Sequence, residues 1–263
     1  MGSKMDLGIA GRKAIVCASS RGLGRACALA LARAKCDIVV NGRDRKALED
    51  TAEQLRRETG AKIVPVQADV ATAEGQAALL DACSAPDILV NNNAGPPFRD
   101  FRQLTRPQMI EGVVANMIVA IELTQKVIDS MMAKKFGRIV NITSGSVKMP
   151  LAGLDLSSGA RAGLTAFLAG VARAVAASNV TINFLLPGTF DTERLHSNIT
   201  ANAKSKGISF DQAKAQRVST VPAKRFGSPD EFGAACAFLC SAHAGYITGQ
   251  NLLIDGGAFP GAM

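Results

Sequence analysis

Short β-branched and apolar runs alternate along the chain with longer segments in which apolar positions recur every three or four residues. "KAIVCAS" (13–19) reads as a first strand, and a helix follows from about Leu23 to Ala34. "DIVVNG" (37–42) is a second strand, followed by a charged helix from about Asp44 to Thr59. "KIVPVQADV" (62–70) and "DILVNN" (87–92) supply the third and fourth strands with a helix between them. A long helix from about Gln108 to Lys134 leads to the fifth strand, "GRIVNIT" (137–143). Ser157 to Ala177 is helical and rich in small residues, and "VTINFLLPG" (180–188) is a sixth strand. A last helix around Pro229 to Ser241 precedes "NLLID" (251–255). Strands of near-continuous apolar character separated by helices predict an α/β fold, a doubly wound parallel sheet with helices on both faces.

No repeat or low-complexity linker interrupts the pattern, so one domain over 1–263 is expected. The longest polar excursion, about 191–221, lies between the sixth strand and the last helix. Excursions at the carboxyl end of a strand in such sheets commonly cover a ligand, and this one is expected to be a substrate lid.

Composition narrows the class. Hydrophobic residues make up 48% and charged residues 20%, a balance that excludes disorder. The first residues carry no secretory pattern, and no apolar run approaches the roughly 18 residues of a membrane span, so a cytoplasmic location is expected. The six cysteines fall inside apolar runs, and the Cys236/Cys240 pair has no histidine or second pair beside it. They read as small buried hydrophobes rather than zinc ligands, and no metal is expected. A net charge of +8 comes from scattered cations interleaved with acids, with one Tyr and no Trp, which argues against nucleic acid as a partner.

Chemistry enters at "ASSRGLG" (18–24), at the first strand-to-helix turn. Ala18, Ser20, Arg21, Gly22, Leu23 and Gly24 form a turn whose glycines let a pyrophosphate approach the backbone, and the helix start favours its charge. An acid at the end of the second strand would hold the ribose hydroxyls of NAD. This chain has neutral Asn41 and then Arg43, with Arg21 nearby and no carboxylate expected to oppose a 2′-phosphate. NADP(H) is favoured over NAD(H).

The whole pattern resembles the short-chain dehydrogenase/reductase family, and in particular its 3-oxoacyl-acyl-carrier-protein reductase-like members, which implies a single Rossmann-fold domain. The resemblance rests on the glycine turn, Asp69-Val70, the Asn-Ala-Gly region, Asn116, "GRIVNITS" ending at Ser144, "PGTFDT" (187–192) and the tail "RFGSPDEFGAACAFLCSAHAGYITGQNLLIDGG". It implies that Asp69 and Val70 line the adenine and that Asn92, Asn93 and Ala94 line the nicotinamide ribose. Pro187, Gly188, Phe190 and Thr192 would clamp the carboxamide. Ser144 would bind the substrate carbonyl, and Asn116 would hold a water of the proton relay.

Three departures stand out. Cys17 and Ala18 replace the usual threonine and first glycine. "NNNAG" allows either a substitution at Asn93 and Ala94 or a one-residue insertion. Most important, the family's tyrosine and lysine positions, counted from Ser144, fall on Ser157 and Arg161. The only tyrosine, Tyr246, lies in the tail motif. Members of the family with related replacements also keep "SVK" after the serine, as Ser146-Val147-Lys148 does here.

A serine hydroxyl is a far weaker acid than a phenol with its pKa near 10, so Ser157 is expected to orient or relay a proton. Arg161 would hold the ribose hydroxyls and keep the site positive. Lys148 is a candidate donor if desolvation beside Arg161 lowers its pKa, or a solvated loop cation. Asp155 is a candidate acid, with capping of a helix starting near Ser157 the favoured reading. His196 either arrives as the lid closes or stays on the surface. The expected function is thus a carbonyl–alcohol oxidoreductase with a non-standard proton donor. A catalytically silent dinucleotide-binding protein, acting as sensor or inert subunit, is the alternative.

The cations of the lid hint at an anionic or carrier-linked substrate. The small-residue face of Ala160, Ala162, Gly163, Ala166, Ala169 and Gly170 suits contact between copies, and the resemblance implies a homo-oligomer, tetramer or dimer.

Overall fold

The computed structural model describes residues 6–261. Seven strands form one parallel sheet: β1 Lys13–Val16, β2 Asp37–Gly42, β3 Ile63–Gln67, β4 Ile88–Asn91, β5 Gly137–Ile142, β6 Val180–Pro187 and β7 Asn251–Ile254. Their order is β3-β2-β1-β4-β5-β6-β7, so the direction of winding reverses between β1 and β4. A crevice opens at such a reversal, beyond the carboxyl ends of the strands.

The crossovers are helical. They are α1 Gly22–Arg33, α2 Arg45–Thr59, α3 Ala73–Ala82, α4 Arg106–Val113, α5 Val119–Ala133, α6 Asp155–Val175, α7 Glu193–Lys206, α8 Phe210–Ser219 and α9 Pro229–Leu239. One face of the sheet buries Val16, Ile38 and Val40 with Leu31, Leu55 and Phe232 of α1, α2 and α9. The other buries Ile15, Leu89 and Ile182 with Leu123, Val127, Leu164 and Leu168 of α5 and α6. Alternate residues of one strand thus serve two cores, as the unbroken apolar runs predicted. All six cysteines lie buried as free thiols.

Several expectations change. The helix expected over 108–134 begins at Arg106 and contains a π-helical turn, Val114–Ile118, around Asn116. α6 starts at Asp155, ahead of Ser157, and its N-cap is Leu154. Asp155 therefore sits inside the first turn, where its carboxylate accepts from Gly153 N at 3.2 Å, and it is not the cap residue. By length and mean hydropathy the helical stretch Asp155–Ser178 would suit a membrane span, contrary to the reading of the apolar runs. Packing accounts for the hydropathy, because Leu164, Leu168 and Ala172 enter the core. Part of the small-residue face of α6 also turns inward. Ala160 is buried, and a methyl group added to Gly163 would lie 3.1 Å from Met117 Sδ of the π turn. The polar excursion 191–221 folds into the helical hairpin α7–α8, which buries a small cluster of Ile199, Ala203, Ala213 and Phe226.

Buried asparagines tie the strand ends together. Asn91 Nδ2 donates to Asn141 Oδ1 at 2.9 Å, Asn141 Nδ2 to Asn183 O at 3.3 Å, and Asn183 Nδ2 to Ile247 O at 2.7 Å. At the opposite end of β5 the buried Arg138 donates to Ser241 O, Gly137 O, Asn179 O and Asn179 Oδ1. Its guanidinium also lies 4.4 Å from the centroid of the Phe136 ring. Removing this side chain strands several buried carbonyls at once. Arg138→Ala is expected to lower the unfolding free energy by about 3 kcal/mol, read as an earlier urea midpoint at unchanged slope.

Candidate active site

The turn between β1 and α1 is held from both sides of the crevice. Ala18 adopts φ +43°, a left-handed backbone that glycine takes without strain. Two hydrogen bonds stabilise it there: Ala18 N donates to Asn41 Oδ1 at 3.1 Å, and Ala18 O accepts from Asn92 Nδ2 at 3.1 Å. Gly24 is required by contact, since a methyl group on it would lie 2.4 Å from Ala18 O. Leu23 packs against the core. Arg21 provides no side-chain cap to α1, which leaves the first N–H groups of the helix available for an anion.

A cavity of about 290 Å3 opens beside this turn, lined by Ala18, Ser20, Arg21, Arg43, Asp69, Val70, Asn93 and Ala94 among others. The structure thereby brings Arg21, Arg43, Asp69 and Val70, expected around the adenosine, into one cavity with Asn93 and Ala94, expected at the nicotinamide ribose. Buried Asn41 also lines the cavity, and its Nδ2 donates to Val66 O and Ala68 O. One detail differs from the sequence analysis. A carboxylate also lines the cavity. Asp44 caps α2 by accepting from Ala47 N and pairs with Arg21 at 2.9 Å. Arg43 pairs with Asp69 at 3.5 Å. Both pairs are solvent-exposed, where ion pairs contribute little, so an incoming phosphate can draw either guanidinium away cheaply. Together with Gly22, where a methyl group would meet nothing within 4 Å and the backbone lies open, the site fits a phosphorylated dinucleotide.

At the far end of the crevice Asn93 Nδ2 donates to Ala115 O in the π turn at 3.2 Å, and its Oδ1 accepts from Ala94 N at 2.8 Å. Gly188 N donates to Ile254 O at 2.8 Å, and a methyl group on Gly188 would collide with Asp255. Phe190 turns its ring into the core, edge-on to Phe232 at 5.2 Å between centroids, so only its backbone is free to face a ligand. Thr192 caps α7 by accepting from Leu195 N at 3.3 Å.

The centre is formed by one buried face of α6. Ser157 and Arg161, one turn apart, are both buried. Arg161 Nε donates to Ser157 Oγ at 3.2 Å and Nη1 to Ile142 O at 2.8 Å, which fixes the guanidinium at the end of β5. Burial first, and the nearby Arg194 charge second, pull the Arg161 pKa down to about 10. It remains protonated at neutral pH. Ser144 accepts from Ser146 N at 3.1 Å. Asn116 Nδ2 donates to Ala94 O at 3.4 Å, while its Oδ1 has no donor from the protein. A cavity of about 20 Å3, lined by Asn91, Asn116, Asn141 and Arg161 among others, adjoins it. That is room for one water among polar partners.

The other candidate donors have neighbours of their own. Lys148 Nζ sits 5.8 Å from the centroid of the Phe259 ring. His196 is exposed, with Nε2 2.6 Å from Asp191 Oδ1 and its ring edge-on to Phe210. Besides Asp44, two positions were given no role of their own in the sequence analysis. Arg194, in the first turn of α7, reaches back to the site, and Gly95 lies at the meeting point: a methyl group there would be 3.6 Å from Arg161 Nη2, Arg194 Nη2 and Ser157 Oγ. The one available signal was the placement of Arg194 two residues after the helix-capping Thr192.

The family model described as enoyl-(acyl carrier protein) reductase matches residues 17–258. The NADPH-dependent reductase BacG of Bacillus subtilis is 31% identical, over 94% of this chain and 97% of its own. The 3-oxoacyl-[acyl-carrier-protein] reductase FabG of Vibrio harveyi is 31% identical, over 96% and 99%. Among solved structures, L-sorbose reductase from Gluconobacter frateurii, complexed with NADPH and L-sorbose, superposes with a TM-score of 0.93 at 27% identity, over 98% of this chain and 100% of its own. YwfH, an NADPH-dependent reductase involved in bacilysin biosynthesis, gives 0.90 at 29% identity, over 96% and 100%. The chain belongs to the short-chain dehydrogenase/reductase family, among its 3-oxoacyl-acyl-carrier-protein reductase-like members.

Proposed function

We propose that the protein is an NADP(H)-dependent reductase interconverting a carbonyl and an alcohol, with the Ser157–Arg161 pair standing where the family has tyrosine and lysine. The observation that carries this reading is the hydrogen bond from Arg161 Nε to Ser157 Oγ inside a buried site. Because Ser157 accepts from the guanidinium, its own hydrogen is free to point at a substrate oxygen. A buried charge without a carboxylate partner is costly to maintain. A site built to stabilise a developing alkoxide gives that cost a purpose.

The bound dinucleotide supplies the hydride; the remaining work falls to the chain. Ser144 and Ser157 hold the substrate oxygen, and Arg161 stabilises the negative charge that forms on it. Ser157 passes on a proton that a poor acid cannot supply alone, and the Asn116 Oδ1 position, beside a water-sized cavity, is where that proton is replenished. This route is preferred to Lys148, set against Phe259, and to His196, tied to Asp191. BacG, YwfH and L-sorbose reductase, whose names carry NADPH, support the choice of cofactor.

Purified protein is expected to oxidise NADPH in the presence of at least one member of a broad ketone panel. NADPH binding without turnover across the panel overturns the reductase reading in favour of a silent binder. Arg161→Met should cut turnover at least about 100-fold with melting temperature held within a few degrees, and Ser157→Ala should cut it less. The rate requires protonated Arg161, whose pKa is lowered to about 10. It should therefore stay level through neutral pH and fall as the pH rises through about 10. A break near neutrality that disappears in Lys148→Met would instead assign the donor to Lys148.

Cofactor choice has its own test. Arg43→Ala should weaken NADPH binding about tenfold and leave NADH binding within about twofold, measured by fluorescence titration.

A further inference from the structure

The hairpin α7–α8 brings one cation back to the centre of the site. Arg194 Nη2 and Arg161 Nη2 lie within 3.6 Å of a single point, the position of a methyl group on Gly95, and so no more than twice that distance apart. Ser157 Oγ lies 3.6 Å from the same point. Arg161 is 8% exposed, and while its Nε and Nη1 are engaged, its Nη2 makes no hydrogen bond among the described residues. No carboxylate among those residues forms an ion pair with Arg161 or Arg194, and the nearby Asp191 is occupied by His196. Two like charges, one of them desolvated, would repel each other at this spacing unless an anion is to be shared between them.

We propose that Arg161 and Arg194 form a subsite for a carboxylate carried by the substrate, set beside the carbonyl to be reduced. The geometry suits such a group. A carboxylate offers two oxygens, one for each Nη2, and still leaves Ser157 within reach of the neighbouring carbonyl oxygen. Gly95 keeps the floor open, since any side chain there would occupy the place of the anion. Because Arg161 is anchored on α6 and Arg194 rides on the exposed α7, the bound carboxylate also bridges the lid to the body. Recognition and closure then become one event.

This inference rests on the reductase reading for its reacting carbonyl, but the carboxylate contact is tested by binding alone. Acetoacetate and methyl acetoacetate, which differ in the charge of one group, are titrated into the NADP+ complex of the full chain by calorimetry, and both are assayed for reduction by NADPH. The wild-type complex should bind the acid at least about tenfold tighter than the ester. Arg194→Ala should remove that preference while leaving the affinity for NADP+ itself within about twofold. Arg194→Lys, which keeps the charge but not the paired donors, should restore part of it. Equal binding of acid and ester by the wild type, or no binding of either, overturns the subsite. Loss of NADP+ affinity in Arg194→Ala with the acid preference intact also overturns it, and assigns Arg194 to the cofactor diphosphate. Tight acid binding without reduction of either compound leaves the subsite standing and counts against the reductase reading.

Discussion

A parallel sheet that stops short of its ligand must satisfy the polar backbone at its open ends, and here buried asparagines and one arginine meet that demand. Asn41 links the glycine turn to the end of β3, Asn92 links the same turn to the end of β4, and Asn91, Asn141 and Asn183 run across the sheet to the segment before β7. Amide side chains suit the task because each both donates and accepts, so one residue joins two strand ends. Asn41, Asn141 and Asn183 each both donate and accept, which holds a single geometry, whereas Asn91 donates and its buried Oδ1 has no partner among the described residues. The crevice at the reversal between β1 and β4 therefore arrives preformed.

Arg161 belongs to the same framework and differs from it in one respect. Its Nη1 bonds to Ile142 O, as a structural arginine at the end of a strand would, while its Nε bonds to Ser157 Oγ and its Nη2 makes no hydrogen bond among the described residues. Unlike the compact charge of a lysine, a guanidinium is planar with several donors in fixed directions, and one of them here holds Ser157. Arg194 of α7 reaches the same place: its Nη2 and Ser157 Oγ both lie 3.6 Å from the position of a methyl group on Gly95.

Much of this was legible in the residue order. The near-continuous apolar runs marked the strands, the glycine turn fell between β1 and α1 beside the cavity, and the count from Ser144 pointed to Ser157 and Arg161 as positions of interest. Local signals fared worse where the outcome depended on a distant partner. Asn41 was legible only as a neutral residue at the end of its strand; that the carbonyls of Val66 and Ala68 claim its side chain was not. Asp44 escaped notice because helix capping, a local role, also places it beside the cavity. Phe190 carried the family clamp motif while its ring was committed to Phe232.

The chain by itself determined the α/β architecture and the position of the glycine turn, and singled out Ser157 and Arg161, because these depend on periodicity and on spacing within one stretch of chain. Only the tertiary structure decided what the exchanged residues face. The π turn that swings Asn116 toward Ala94, the inward turn of α6 against Met117 and the meeting of Arg194 with Arg161 over Gly95 all join segments far apart in sequence. Their side-chain directions follow from how helices pack on a twisted sheet, and packing distances of a few ångströms are not written in any local pattern.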